Sequence, residues 1–157
     1  MVIHKGIELD APQAQSTRLV VAIEDDDVLR SVLVDILEEE EYKVVVHGRP
    51  EGAQQLVRRL QPAVVLLDLR LGCARATRGW AVLDELVLDP ATRDIPVIVI
   101  SADPSLEAHA PAMYAEQGVW TLPKPFDVTE LVDIVDRVAS TRSTRREVEP
   151  VARTARL

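Results

Sequence analysis

The 157-residue chain has few of the features that cross-link, export or anchor a protein. It contains one cysteine, Cys73, which excludes an internal disulfide bond and a metal site built from several thiolates. No apolar run approaches the roughly 18–20 residues that a membrane-spanning helix needs, and residues 1–15 have no apolar signal core. We therefore expect no contact with the membrane and a reducing, cytoplasmic location.

Basic residues are also scarce, with 18 Lys and Arg against 26 Asp and Glu. The net charge of −8 argues against a nucleic-acid binder, because the phosphate backbone repels an acidic surface. Nine acids and one base, Arg30, lie within residues 24–41. The acidic run from Glu38 to Glu41 is typical of a solvated helix end, whereas Glu24 and Asp25 directly follow an apolar run.

Apolar residues alternate between strand-like and helix-like patterns along the chain. Short apolar runs predict strands over residues 19–23, 43–46, 63–67, 95–100 and 119–122. Helical spacing predicts helices over residues 28–37, 53–60, 80–87 and 128–138, with Pro50 in the first turn of the second. A further helix is expected to start at Asp103 and to be shortened or broken at Pro111. Asp26 or Asp27 is expected to cap the first helix.

Strict alternation of strands and helices predicts an α/β fold. We expect a doubly wound, five-stranded parallel sheet of the flavodoxin-like order 2-1-3-4-5, with helices on both faces. The folded domain is expected to span residues 18–140. Residues 1–17 are predicted to form a flexible extension and residues 141–157 a flexible, arginine-rich tail. The tail is expected to be solvated; the alternative is that it binds nucleic acid or an acidic protein.

Polar residues end four of the predicted strands. These residues are Glu24, Asp25, Asp68, Ser101 and Lys124. Ligands of such sheets bind beyond the carboxyl ends of the strands, so we expect these side chains to converge. Clustered carboxylates repel one another unless a cation offsets the charge, and oxygen ligands favour Mg²⁺, whereas no histidine or cysteine is spaced for zinc. With a lysine and a hydroxyl beside it, Asp68 is suited to accept a phosphoryl group.

Four segments at these strand ends carry a family resemblance. They are Ile-Glu-Asp-Asp at 23–26, Val-Leu-Leu-Asp-Leu-Arg at 65–70, Val-Ile-Val-Ile-Ser-Ala at 97–102 and Leu-Pro-Lys-Pro-Phe at 122–126. Over roughly residues 19–140 the chain resembles the receiver domain of the response regulators of bacterial two-component signalling, whose fold is that of the chemotaxis regulator. The resemblance implies that Asp68 accepts the phosphoryl group.

The resemblance also assigns roles to the neighbours of Asp68. It implies that Mg²⁺ is held by Glu24, Asp25, Asp68 and the backbone carbonyl of Arg70. A second set of residues is implied to contact the phosphoryl oxygens or to transmit the signal. This set consists of Ser101 and Lys124 at the phosphoryl group, and of Ser101, Thr121 and Pro125 as switch and output positions, with a cis bond before Pro125.

The sequence departs from the receiver pattern in three places. Gly72 stands where these domains carry proline, and the loop that follows, up to Gly79, is longer than usual. Its arginines, Arg75 and Arg78, either reach the active site or a partner, or are solvated. Thr121 replaces an aromatic residue, and Trp120 points to the other face of its strand. Pro111 interrupts the fourth helix, on the face that usually reports phosphorylation.

The expected function is that of a stand-alone receiver. A sensor histidine kinase or a phosphotransfer protein would phosphorylate Asp68, and the domain would signal through contacts with an unknown protein target, as a monomer or weak dimer. No enzymatic activity beyond its own phosphorylation and dephosphorylation is expected. The alternative is an adaptor that binds proteins without phosphorylation. A haloacid-dehalogenase-type hydrolase is disfavoured, because Arg70 stands where its second aspartate is required.

Overall fold

A computed structural model describes residues 18–72, 77–102 and 112–147. The strands are β1 (Leu19–Ile23), β2 (Lys43–His47), β3 (Val64–Asp68), β4 (Val97–Ser101) and β5 (Val119–Pro123). The helices are α1 (Asp27–Glu39), α2 (Ala53–Leu60), α3 (Thr77–Leu88), α4 (Ala112–Glu116) and α5 (Val128–Glu147). No helix in this part of the chain combines the length and apolar character needed to cross a bilayer.

The five strands form one sheet in the order β2-β1-β3-β4-β5, and every neighbouring pair is parallel. Alternate strand residues feed two core layers. Helices α2, α3 and α4 cover one layer, which contains Leu56, Leu83 and Tyr114. Helices α1 and α5 cover the other, which contains Leu33 and Leu131. The predicted fold class, strand order and two-sided helix cover are confirmed.

The central strands are more deeply buried than one edge of the sheet. Every residue of β1, β3 and β4 is buried, as expected for strands that are covered on both faces. In β5, at the edge, only Leu122 is buried. The carboxyl ends of β1 and β3 flank the point where the strand order reverses, which is where ligands of such sheets bind.

Several element boundaries differ from the sequence prediction. Pro50 is not in the first turn of α2, because that helix begins only at Ala53, after Gly52 in a left-handed conformation (φ 80°). Asp68 and Ser101 are the last residues of β3 and β4 rather than the residues that follow them. Since strand pairing is set by the neighbouring strands, short apolar runs locate strands only to within one or two residues.

Two helices extend into segments that we predicted to be irregular. Helix α3 begins at Thr77, so the predicted loop ends before Gly79. Helix α5 continues through Glu147, so the boundary predicted at residue 140 falls inside it. No glycine or proline interrupts residues 139–147, and nothing local ends the helix there. Residues 1–17, the predicted helix start at Asp103, and residues 148–157 lie outside the described residues.

Candidate functional site

The site lies at the carboxyl edge of the sheet, and strand pairing brings its residues together. Asp68 ends β3 and pairs with Ile100, directly before Ser101 at the end of β4. The backbone N–H of Lys124 donates to the carbonyl oxygen of Ser101 over 2.8 Å, which holds the chain after β5 against β4. Glu24 is fixed beside β2 by its N–H, which donates to the His47 carbonyl oxygen over 3.0 Å.

Three acidic side chains meet at this edge and form the carboxylate cluster, made of Glu24, Asp25 and Asp68. One oxygen from each lies within 4.8 Å of the others. Glu24 and Asp68 are buried, with 2% and 5% of their surface exposed, whereas Asp25 is exposed. The cluster therefore has a buried floor and one side open to solvent.

Among the described residues, Lys124 is the cation that pairs with Glu24 and Asp68 of the carboxylate cluster. Its Nζ lies 2.9 Å from Asp68 Oδ2 and 3.7 Å from Glu24 Oε2, and 26% of the side chain is exposed. One ammonium group does not balance three carboxylates when all of them are ionised. The site is therefore electrostatically suited to an additional cation.

The carboxyl of Glu24 is the least satisfied group of the cluster. Its Oε1 accepts the Asp26 N–H over 3.0 Å, but its buried Oε2 accepts no hydrogen bond from the part of the chain that the structure describes. The pKa of Glu24 is raised from its usual 4.5 to about 7, mainly by burial and also by the negative charge of Asp68, although the Asp26 N–H and Lys124 act in the opposite direction. An orphaned buried carboxylate oxygen within an all-oxygen donor set fits a hard divalent cation such as Mg²⁺.

The loop after β3 folds back onto the carboxylate cluster. The Arg70 N–H donates to Asp68 Oδ1 over 2.8 Å, and the Gly72 N–H donates to Asp25 Oδ2 over 3.0 Å. Gly72 adopts a left-handed conformation (φ 84°) that glycine allows without strain. The backbone of Arg70 thus lies beside the cluster, and the role of its carbonyl as a metal ligand stays a prediction.

The predicted switch and output positions lie on or beside β5. Thr121 is half-buried and pairs with Val99, whereas Trp120 packs against the core layer that α1 and α5 cover. The two residues therefore face opposite sides of the sheet, as strand alternation predicted. The bond between Lys124 and Pro125 is cis, as the resemblance implied.

Other predicted residues have structural partners or lie elsewhere. Asp26 caps α1, since its Oδ1 accepts the Leu29 N–H over 2.8 Å. Arg78 pairs with Glu51 over 3.4 Å, and both side chains are more than 60% exposed, so this arginine is solvated in the structure. Cys73 and Arg75 lie outside the described residues.

Sequence reasoning missed Arg30, whose guanidinium donates to the carbonyl oxygens of Glu24 and Asp25. The only available signal was its position as the single base in an acidic segment. A contact between a helical side chain and the preceding loop depends on the geometry of the turn between them. The periodicity of apolar residues in the sequence gives no information about that geometry.

Known proteins match both the sequence and the fold. The family model of the response regulator receiver domain matches residues 20–136. Protein Rrf1 of Nitratidesulfovibrio vulgaris is 30% identical over 124 residues, which cover 79% of this chain and 83% of Rrf1.

Two solved structures share the fold. The receiver domain of the sensor histidine kinase PA1611 from Pseudomonas aeruginosa, with a magnesium ion coordinated in its active site cleft, has a TM-score of 0.65 and 23% identity, covering 78% of this chain and 98% of that one. The chemotaxis response regulator CheY4 of Vibrio cholerae has a TM-score of 0.65 and 18% identity, covering 76% of this chain and 97% of that one.

Proposed function

The chain belongs to the response regulator receiver domain family of two-component signalling, and on that premise we propose that Asp68 is its phosphoacceptor. The observation that carries the proposal is the ion pair between Lys124 Nζ and Asp68 Oδ2, beside the two further carboxylates of the cluster. The phosphoryl donor would be a sensor histidine kinase or a phosphotransfer protein. The protein would work in the cytoplasm. Its site would catalyse no reaction other than its own phosphorylation and dephosphorylation.

The proposed reaction is a displacement at phosphorus. A carboxylate oxygen of Asp68 forms the new bond to phosphorus, and the bond from phosphorus to the donor atom breaks with its electron pair leaving on the donor. Lys124 lies where its ammonium group balances the negative phosphoryl oxygens. Ser101, buried at the end of the adjacent strand, would donate its hydroxyl to another phosphoryl oxygen.

Magnesium is proposed as the cofactor of this site. Glu24, Asp25, Asp68 and the backbone carbonyl of Arg70 would hold it, and the ion would supply positive charge to phosphoryl oxygens. The orphaned Oε2 of Glu24 and the oxygen-only donor set support this assignment. The magnesium ion in the cleft of the PA1611 receiver domain, a protein of the same fold, supports it as well.

The test is phosphorylation by a small donor. We expect the full chain, incubated with acetyl phosphate and Mg²⁺, to gain the mass of one phosphoryl group, and to gain none when the metal is chelated. D68N should remain unmodified, while D133N, which alters an exposed aspartate of α5, should react like the wild type. Absence of a mass increase in the wild type under these conditions would refute the proposal.

A phosphorylation-independent adaptor is the second candidate, and β5 supplies the observation that favours it. The position that usually carries an aromatic switch residue is Thr121, and Trp120 is packed on the opposite face of the sheet. If the protein is such an adaptor, the wild type and D68A should bind the target with equal affinity. A large loss of target affinity in D68A would favour the phosphoacceptor instead.

A further inference from the structure

Arg30 joins the two ends of the β1–α1 loop, which carries two residues of the carboxylate cluster. It is the fourth residue of α1, and its guanidinium Nη1 donates to the Glu24 carbonyl oxygen over 2.8 Å and to the Asp25 carbonyl oxygen over 3.2 Å. The other guanidinium nitrogen, Nη2, pairs with the carboxylate of Asp27. Only 21% of the arginine side chain is exposed.

Further hydrogen bonds from backbone N–H groups hold the same loop. Asp26 donates its N–H to Glu24 Oε1 and caps α1 through Leu29. The carbonyl oxygen of Asp26 accepts the Arg30 N–H over 2.9 Å. Arg30 therefore holds the backbone carbonyls of Glu24, Asp25 and Asp26, and it also pairs with the Asp27 side chain.

Gly48, the residue after β2, makes room for the guanidinium group. A Cβ atom at this glycine would lie 2.4 Å from Nη1 of Arg30 and 3.2 Å from its Cζ. The φ of Gly48 is outside the left-handed region, so its backbone does not require glycine, and the three atoms nearest to an added Cβ all belong to Arg30. Gly48 therefore packs directly against Arg30, the arginine that holds the β1–α1 loop.

We propose that Arg30 is a positioning residue for the divalent-cation site, and that Gly48 is required for its placement. The inference rests on the proposed function, in which Glu24 and Asp25 bind Mg²⁺. By fixing both carbonyls, Arg30 fixes the backbone from which the two carboxylates project. Second-sphere partners of this kind typically change metal affinity by about 10–100-fold when they are removed.

The sign of the effect separates positioning from plain electrostatics. Arg30 is a cation close to a cation site, so Coulomb repulsion alone predicts that its removal strengthens Mg²⁺ binding. Positioning predicts the opposite, because a loop without its arginine must be ordered when the metal binds. A lysine at this position keeps the charge but lacks the planar fork that reaches two carbonyls and a carboxylate.

The experiment compares Mg²⁺ affinity by calorimetry, above the pKa of Glu24, in the wild type, R30M, R30K and G48A. R59M, which removes an exposed arginine of α2, is the matched control. We expect a loss of about tenfold in R30M, R30K and G48A and no change in R59M. Binding by R30M as tight as in the wild type, or tighter, overturns the proposal. If R30M does not fold, R30K and G48A decide the question by the same criterion.

A second measurement needs no bound metal. In the magnesium-free proteins, amide hydrogen exchange at Asp26 and Gly72, whose N–H groups donate to carboxylates of the cluster, should be faster in R30M and G48A than in R59M. If the wild type does not bind Mg²⁺, the proposed metal site fails, but faster exchange still supports a positioning role for Arg30. Unchanged exchange in both variants overturns that role.

Discussion

The Glu24 side chain combines deep burial with an incomplete set of partners. Only 2% of it is exposed, and among the described residues one of its two carboxylate oxygens has no hydrogen-bond partner. In a core without function such an oxygen lowers stability, because a charged group loses its water without full compensation. Its retention beside Asp68 and Lys124 is consistent with a site whose charge balance requires a ligand.

Replacing Glu24 by glutamine should therefore stabilise the magnesium-free protein at high pH. The pKa of Glu24 is raised to about 7 in the folded state, so the stability of the wild type falls as pH rises from about 4.5 through 7. E24Q lacks this loss. Between pH values below 4.5 and above 7, its free energy of unfolding should therefore rise by about 1–3 kcal/mol relative to that of the wild type. Urea unfolding in the presence of a chelator, at several pH values, measures the difference.

The control for this prediction is E39Q, which alters an exposed acid of α1. Its stability should run parallel to that of the wild type across the same pH range. If the stability of E24Q also ran parallel to that of the wild type across this pH range, the pKa of Glu24 would not be raised.

At this scale, the convergence of the acids and the lysine could be predicted from the sequence, but the residues that support them could not. Glu24, Asp68 and Lys124 follow apolar runs, and parallel strands bring such positions together, so their convergence was predictable. Arg30 and Gly48 touch only because the chain turns between β1 and α1 while β2 ends beside that turn. Neither residue lies in a pattern that distinguishes it from a solvated arginine or a loop glycine.

At the scale of elements, the start of α5 is set by a reciprocal pair of hydrogen bonds. The Glu130 N–H donates to Asp127 Oδ1 and the Asp127 N–H donates to Glu130 Oε2, each over 2.9 Å. The spacing of the two acids, three residues apart, is that of a capping box. The helix begins four residues after Lys124, so the cap also limits the freedom of the segment that follows the lysine.

Removing the cap with D127A should lower stability by about 1 kcal/mol, because the Glu130 N–H at the helix start loses its acceptor. Thermal unfolding measures the change. D133A, an exposed position inside the same helix, should have a smaller effect. Equal effects of the two substitutions would contradict a specific capping role.

The contact between α3 and the end of β3 depends on Gly79. A Cβ atom there would lie 2.3 Å from Leu69 Cα and 2.4 Å from the Leu69 carbonyl oxygen, and backbone atoms at this position do not yield easily. G79A should therefore cost about 3 kcal/mol and should weaken Mg²⁺ binding, since Leu69 lies between Asp68 and Arg70.

G118A provides the comparison for Gly79. Gly118 has a φ of 78°, but a Cβ there meets nothing within 4 Å. Its replacement should cost about 1 kcal/mol through backbone strain and leave Mg²⁺ binding unchanged. A smaller stability loss in G79A than in G118A would contradict the close packing of α3 on Leu69.

Element types followed from sequence patterns more reliably than element ends. Five apolar runs and the spacing of Leu33, Leu56 and Leu131 predicted the sheet and its covering helices. The start of α3 at Thr77 and the extension of α5 beyond residue 140 were missed, because polar, helix-compatible residues have no periodic apolar stripe. For α4, the described helix begins directly after Pro111, which is the residue predicted to interrupt it.

At the scale of the whole molecule, two tyrosines join separate helices to the rest of the fold. The hydroxyl of Tyr114 on α4 donates to Asp84 on α3, and that of Tyr42, before β2, donates to Asp136 on α5. Burial raises the pKa of Tyr114 to about 12, with Asp84 adding to the rise, and burial beside Asp136 raises the pKa of Tyr42 as well. Both phenols are thus protonated in the folded state at pH values where the unfolded chain ionises.

Alkaline titration should therefore be coupled to unfolding. Because each folded pKa is raised, stability falls as pH increases from about 10, and tyrosinate absorbance should appear together with loss of structure between pH 10 and 12. Y114F should reduce the pH dependence of the unfolding free energy. Tyrosinate formation near pH 10 with circular dichroism unchanged would contradict the prediction.

The ion pairs of Lys124 with Asp68 and Glu24 also constrain when the site can exist during synthesis of the chain. The two acids emerge from the ribosome well before the lysine, which follows the last strand of the sheet. Contacts between residues so distant in sequence form late, after the loops between them have closed. A nascent chain that ends before residue 124 contains the three acids of the carboxylate cluster but not Lys124, so the ion pairs of the site can form only after all five strands have been made.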